Sequence, residues 1–297
     1  MTASRSSATL IHGLWRRPER GKPGGKLVSV IAGPVVLTGV AVMLSLGASS
    51  AALAKGHTAI PKPTVVLVHG AWADGSSWDG VVKRLHRDGY NVVVPPNPLR
   101  GLASDSAYLA GYLNTVRGPV VLAGHSYGGE VITNAATGNP AVKALVYVDA
   151  YIPDRGETAQ ELTAAMPGST LDPATSFDFV PFTGPDGSDT DLYVKPTAFR
   201  AALAADLSAR RTAVLAARQR PLALSALSAP SGPPAWKTIR SYAVIGTRDK
   251  AIPPAEQAVM AARAHATVVK IKASHFGLVS HPGAVARLIA RASAATR

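Results

Sequence analysis

Three residues far apart in the chain set the first question: a serine, an aspartate and a histidine. Gly124-His125-Ser126-Tyr127-Gly128-Gly129 follows an apolar run and opens a segment of helical character. A strand that turns directly into a helix forces the residue at the bend into a strained backbone conformation, and small residues two before and two after relieve the crowding. The same bend lifts the Ser126 hydroxyl to the carboxyl edge of a sheet, where open α/β sheets hold their ligands. An exposed hydroxyl there is a nucleophile if a base stands beside it. The bland alternative is a serine in an ordinary tight turn. The strand before it and the helix after it argue against that.

Among the downstream histidines, His275 follows the apolar run Thr267–Ile271 closely, in the short loop Ala273-Ser274-His275-Phe276-Gly277. That loop falls at the same sheet edge as Ser126, so His275 is the candidate base. His265 stands at a helix end and His281 precedes Pro282 at a helix start, and both read as surface or capping residues. The imidazole needs an orienting carboxylate, and Asp249 in Gly246-Thr247-Arg248-Asp249 directly follows the run Ser241–Ile245. Asp149, at the end of Val142–Val148, is the rival acid, less favoured because it leads straight into a different segment. A cap before Ile252-Pro253-Pro254 is the non-catalytic role open to Asp249. Acyl transfer also needs two backbone N–H groups for an oxyanion. Tyr127, after the nucleophile, supplies one, and Ala71 in His69-Gly70-Ala71-Trp72 supplies the other. His69 is then structural, and Trp72 is a candidate wall for a substrate.

These residues need a scaffold that brings them together. Thr64–Val68 is a continuous β-branched run, as expected of a strand buried on both faces. A helix capped by Ser77 runs through Val81, Val82 and Leu85 and stops at Gly89. Asn91–Val94, Pro119–Ala123 and Val142–Val148 are further strands, with helices at Asp105–Val116 and Glu130–Ala136 between them. The alternation predicts a mostly parallel sheet with helices on both faces. It breaks at about residues 151–236, where Gly184-Pro185-Asp186-Gly187 punctuates the chain and Thr197–Arg218 is Ala-rich and helical. That stretch reads as a helical cap inserted over the sheet. Alternation resumes with Ser241–Ile245, a helix at Ala255–Ala264, Thr267–Ile271 and a last helix at Ala284–Ala292.

Composition narrows the class. Of 297 residues 47% are hydrophobic and 16% charged, which excludes a disordered tail protein. The absence of cysteine excludes disulfides, thiolate metal sites and a cysteine nucleophile. Net charge is +13, yet no run interleaves basic and aromatic side chains as a nucleic-acid groove does, and Arg210, Arg211 and Arg218 read as one solvated helix face. Residues 1–54 look like a targeting segment. Arg5, Arg16, Arg17, Arg20, Lys22 and Lys26 face Glu19 alone, the uncharged run Leu27–Leu46 follows, and Ala52-Leu53-Ala54 offers a small-x-small cleavage site. Twenty apolar residues also suffice for a retained membrane anchor, but Pro34 and the cleavage pattern favour removal. The expected product is a secreted or cell-envelope protein of residues 55–297, touching a membrane only if the leader stays. The Arg16-Arg17 pair lies too far from the apolar run to argue for twin-arginine export.

The order Ser126, Asp249, His275, the elbow and the His69–Trp72 loop together resemble the α/β-hydrolase superfamily over nearly all of Pro63–Arg297. His69-Gly70-Ala71-Trp72, Gly124–Gly129 and Ser274-His275 resemble a branch of serine esterases similar to plant methyl-ketone and methyl-salicylate esterases and hydroxynitrile lyases. The resemblance implies a core sheet of about eight strands, a helical cap, a Ser-His-Asp triad, a small-molecule ester substrate, no cofactor and no metal. Lyases of this branch carry a lysine after the histidine. Here that residue is Phe276, which supplies no cation. Perhydrolase chemistry uses the same triad, and a non-catalytic receptor-like member is the alternative from another class. His-Glu-x-x-His, a Walker loop and a strand-linked Gly-x-Gly-x-x-Gly are all missing.

Overall fold

A computed structural model describes residues 62–184 and 187–296. The leader read from residues 1–54 lies outside the described residues. From residue 62 the chain forms β1 (Thr64–Val68), α1 (Asp79–Arg87), β2 (Val92–Val93), α2 (Leu102–Leu113), β3 (Val120–His125), α3 (Tyr127–Ala135) and β4 (Val142–Val148). The intervening segment holds α4 (Ala159–Ala164), β5 (Phe177–Gly184), β6 (Gly187–Val194), α5 (Pro196–Leu203), α6 (Ala209–Ala217), β7 (Leu222–Ala223) and α7 (Leu224–Ser228). The last part is β8 (Ser241–Gly246), α8 (Pro254–Arg263), β9 (Thr267–Ile271), α9 (Gly277–Ser280) and α10 (Pro282–Ala294).

Six strands pair in the order β2-β1-β3-β4-β8-β9, all parallel. Every residue of β1 and β3 is buried, which requires cover on both faces; α1 packs on α10, and α2 packs on α3. The strand order reverses between β1 and β3, the position at which open α/β sheets form a crevice beyond their carboxyl ends. Register aligns those ends: Val68 pairs with Gly124, His125 with Val148, Val148 with Val244, and Gly246 with Ile271. The loops that follow therefore share one edge, and they carry the sequence's candidate residues.

Two expectations need correction. The main sheet has six described strands where about eight were implied. The segment between β4 and β8 is also less helical than expected, because β5, β6 and β7 form an antiparallel sheet. β5 and β6 pair up to Gly184↔Gly187, so the Gly-Pro-Asp-Gly cluster joins two strands. Pro181 inside β5 obscured that strand; it is tolerated because β5 is an edge. The Ala-rich stretch divides into α5 and α6, with Ser208 Oγ accepting from Arg211 N to start the second helix. Ser77 does not cap α1: a 3₁₀ turn at Gly75–Trp78 leads into the helix, and Asp74 caps that turn by accepting from Ser76 N.

Candidate active site

β3 ends at His125 and α3 begins at Tyr127, so Ser126 alone makes the turn, with φ 54° and ψ −126°. A non-glycine residue holds such a conformation only when its surroundings over-determine it. Here they do. A Cβ on Gly124 would stand 2.4 Å from the Gly128 carbonyl oxygen, and one on Gly70 would stand 2.6 Å from Ser126 Cβ. The loop after β1 thus presses directly on the serine, which is 4% exposed.

Asp249 and His275 meet. Nδ1 of His275 lies 2.8 Å from Asp249 Oδ2, and both side chains are buried. Asp249 accepts three further hydrogen bonds, from Ala251 N (2.8 Å) and Ile252 N (3.0 Å) on Oδ1 and from Gln257 Nε2 (2.8 Å) on Oδ2. A carboxylate held by four donors is locked in one orientation. With the Nδ1 proton given to Asp249, the lone pair of His275 sits on Nε2, the nitrogen available to a serine hydroxyl. Among the described residues the ring's hydrogen bond runs to Asp249, and none joins it to Ser126 Oγ. Asp149 does not touch the imidazole and bonds Gly246 N and Gly277 N instead. His265 ends α8 and His281 precedes α10 beside Ser280, away from this pair.

Ala71 and Tyr127 are both buried, and among the described residues neither backbone N–H donates to another group. Two unspent N–H donors flanking a serine are what an oxyanion hole requires. His69 is structural, as expected: Nδ1 pairs with Gly70 O (3.0 Å), Nε2 accepts from Asn97 N (3.2 Å), and burial lowers its pKa. Trp72 has φ 54°, donates its backbone N–H to Arg220 O (3.0 Å) and its indole N–H to Leu192 O (2.9 Å), and packs on Phe177 at 5.3 Å. It ties the loop to the inserted segment. Beside it opens a cavity of about 420 Å³ whose walls include Trp72, Tyr151, Thr163, Met166, Leu171 and Phe177. Of the inserted segment's aromatic side chains Phe177 lines this cavity, whereas Phe199 is in the core and Phe179 is half exposed.

Three buried polar positions in or behind the candidate site escaped sequence reasoning. Gln257 on α8 steadies Asp249 from eight residues away, a spacing with no local signature. His125 Nε2 donates to the His275 carbonyl (3.0 Å), and burial holds its pKa well below the ordinary value, so the ring is neutral. Glu130, one turn into α3, is buried with both carboxyl oxygens unpartnered among the described residues.

The profile of the alpha/beta hydrolase family matches residues 65–288. The chain belongs to that family. A carbendazim hydrolyzing esterase from Nocardioides sp. (strain SG-4G) is 34% identical over 39% of this α/β-hydrolase; the match spans about half, 51%, of that relative's length. Among solved structures, polyneuridine aldehyde esterase superposes with a TM-score of 0.67 at 19% identity, covering 78% of this chain and 99% of the other. A methylesterase from Arabidopsis gives 0.62 at 17% identity, covering 78% and 99%. At these identities the structures show a shared fold, and they include the plant esterases that the motifs resemble.

Proposed function

We propose that this α/β-hydrolase is a serine esterase that cleaves a small or medium, uncharged carboxylic ester through an acyl-enzyme. The observation that carries this reading is the 2.8 Å bond from His275 Nδ1 to Asp249, made at the sheet edge where Ser126 occupies the strained turn. His275 Nε2 takes the proton from Ser126 Oγ as the oxygen attacks the ester carbon. The N–H groups of Ala71 and Tyr127 receive the oxyanion. Collapse of that intermediate expels the alcohol, which leaves with the proton from His275 and strands the acyl group on Ser126. A water molecule then loses its proton to His275, attacks the acyl carbon and releases the acid, restoring Ser126. The steps call for no cofactor.

The names of the relatives, esterases in each case, support the reaction class. The substrate class rests on the cavity beside Trp72, whose mainly apolar walls suit an uncharged acyl or alcohol group; Ser126 and His275 are not part of its lining, and Trp72, next to Ala71 in the chain, is what links it to the site. Phe276 is buried and stacked between His125 and Phe199, an unsuitable place for the charged lysine of a cyanide-handling site. Export belongs to the same proposal, with cleavage after Ala54; N-terminal sequencing of the protein from its native host tests it.

The deciding experiment is hydrolysis of short-chain p-nitrophenyl esters by the wild type and Ser126→Ala. The wild type is expected to turn over, and the alanine variant to lose about 10³-fold or more in kcat. A variant with wild-type turnover overturns the nucleophile. A wild type inert on a panel of esters, lactones and amides overturns the esterase reading.

A further inference from the structure

The acyl transfer above makes no use of Asp149, yet this side chain is built into the site with unusual care. It ends β4 with φ 47°, a conformation that costs a non-glycine residue energy, and it is fully buried. Its Oδ1 accepts from Gly246 N at 2.6 Å, and its Oδ2 accepts from Gly277 N at 3.2 Å. Gly246 is three residues before Asp249, and Gly277 is two residues after His275. One carboxyl therefore joins the loop that carries the acid to the loop that carries the base.

The surroundings are shaped for that carboxyl. A Cβ on Gly277 would lie 2.4 Å from Asp149 Oδ2, and one on Gly246 would lie 2.9 Å from Oδ1. Both loop positions lack a side chain where the carboxyl sits. A carboxyl also suits the task chemically, since in its ionised form it presents an acceptor oxygen to each N–H, and those two bonds oppose the upward push of burial on its pKa. An asparagine presents one acceptor and one N–H donor, which would face a backbone N–H. The loops already share Arg248 N to Ala273 O (2.9 Å) and Thr247 N to Ile271 O (2.8 Å). Asp149 adds a further tie on the far side of the histidine, from Gly246, three residues before Asp249, to Gly277, two residues after His275. The arrangement is not inert electrostatically: burial, and Asp249 close by, push the Asp149 carboxyl well above the ordinary aspartate range.

We propose that Asp149 is a positioning residue, a buried clamp whose two oxygens fix the spacing of the Asp249 and His275 loops and so hold the 2.8 Å contact between those side chains. It touches neither substrate nor the reacting atoms. The proposal rests on the esterase reading for its kinetic consequence, but its geometric consequence stands without it.

The test uses the full-length protein with Asp149→Asn and Asp149→Ala, two readouts and a melting curve to establish folding. In steady-state hydrolysis of p-nitrophenyl esters, kcat is expected to fall between about 10- and 100-fold with KM within about twofold, the signature of misplaced catalytic groups. In proton NMR, the downfield resonance of the His275 Nδ1 proton, identified by its loss in His275→Ala, is expected to broaden or vanish in both variants. If that resonance persists unchanged in folded Asp149→Asn, the clamp is overturned whatever the rate does. If kcat stays at the wild-type value, it is overturned as well. Should Asp149→Ala fail to fold, the near-isosteric asparagine variant carries both measurements. A wild type that shows the resonance but hydrolyses nothing separates failure of the esterase reading from failure of the clamp, which the variants' spectra still decide.

Discussion

The carboxyl edge of the main sheet and the segment inserted between β4 and β8 are held in place by different physics. At the edge, glycines let chain segments close on one another: Gly124 on the Gly128 carbonyl, and Gly70 on the His125 carbonyl and Ser126 Cβ. The inserted segment is held by hydrogen bonds from side chains. Trp72 donates to Leu192 O, Tyr151 OH pairs with Thr163 Oγ1 at 2.7 Å, and the Gln219 amide exchanges two 2.9 Å bonds with the Val194 backbone. Backbone packing leaves almost no choice of residue, whereas side-chain bridges can be exchanged one at a time. The edge is therefore where chemistry is fixed, and the insertion is where a substrate preference can change without disturbing it.

The sharpest way to break that comparison is to weaken the edge without altering its shape. Asp249→Asn keeps volume but offers a donor where Gln257 and His275 both donate. The imidazole is then held in the wrong tautomer, and kcat is expected to fall by on the order of 10⁴-fold on any ester, small or large. Steady-state kinetics on acetate and longer acyl esters checks this. A loss confined to large substrates would place the defect in the insertion and refute the division.

The same contrast governs what was legible in the sequence. The Gly124–Gly129 turn could be read because its glycines answer a steric demand made by residues two and four positions away. β1 at Thr64–Val68 and β4 at Val142–Val148 could be read because parallel strands buried on both faces are runs of apolar, β-branched residues. The order of Ser126, Asp249 and His275 followed from their place after strands. β5 was missed because most of its residues are exposed, so the alternation that marks a half-buried strand is absent, and Pro181 argued against a strand. Gln257 was missed because its bond to Asp249 depends on how α8 lies over the loop after β8, which no spacing encodes. Asp149 could be placed at the right edge but not given its partners, since the choice between two acids depends on ångström-scale loop positions.

A second substitution sharpens the comparison from the insertion's side. Trp72→Phe retains a ring to pack on Phe177 but removes the indole N–H that reaches Leu192 O. A buried carbonyl left without its donor costs about 1–3 kcal/mol, paid here by the tie between loop and insertion. KM for long or bulky acyl esters is expected to rise several-fold, while kcat on acetate stays within about threefold. A collapse of kcat on acetate would mean that the insertion also positions the Ala71 N–H, and the two regions would no longer be separable.

The smallest expected effect concerns a group that local packing leaves unpaired. Glu130 shares α3 with the elbow, is fully buried, and has no hydrogen-bond partner on either carboxyl oxygen among the described residues. Burial alone pushes its carboxyl well above the ordinary value of 4.5. In the unfolded chain the group ionises as pH rises past about 4.5, whereas in the folded chain it resists, so the folded state binds the extra proton. Stability is then fully present below the unfolded value and is lost as pH rises toward the folded one, with a slope of up to about 1.4 kcal/mol per pH unit. Glu130→Gln has similar shape and no charge to lose, so it escapes that slope. Urea denaturation of wild type and variant at pH 4, 6 and 8 is expected to show near-equal stability at the lowest pH and a growing advantage for glutamine above it. The other carboxyls that burial pushes upward, Asp105, Asp149 and Glu256, are common to both proteins and cancel in the difference. A difference that stays flat with pH would mean that Glu130 is solvated or ionised in the folded protein. The helix behind the nucleophile would then contain a polar passage rather than a sealed core.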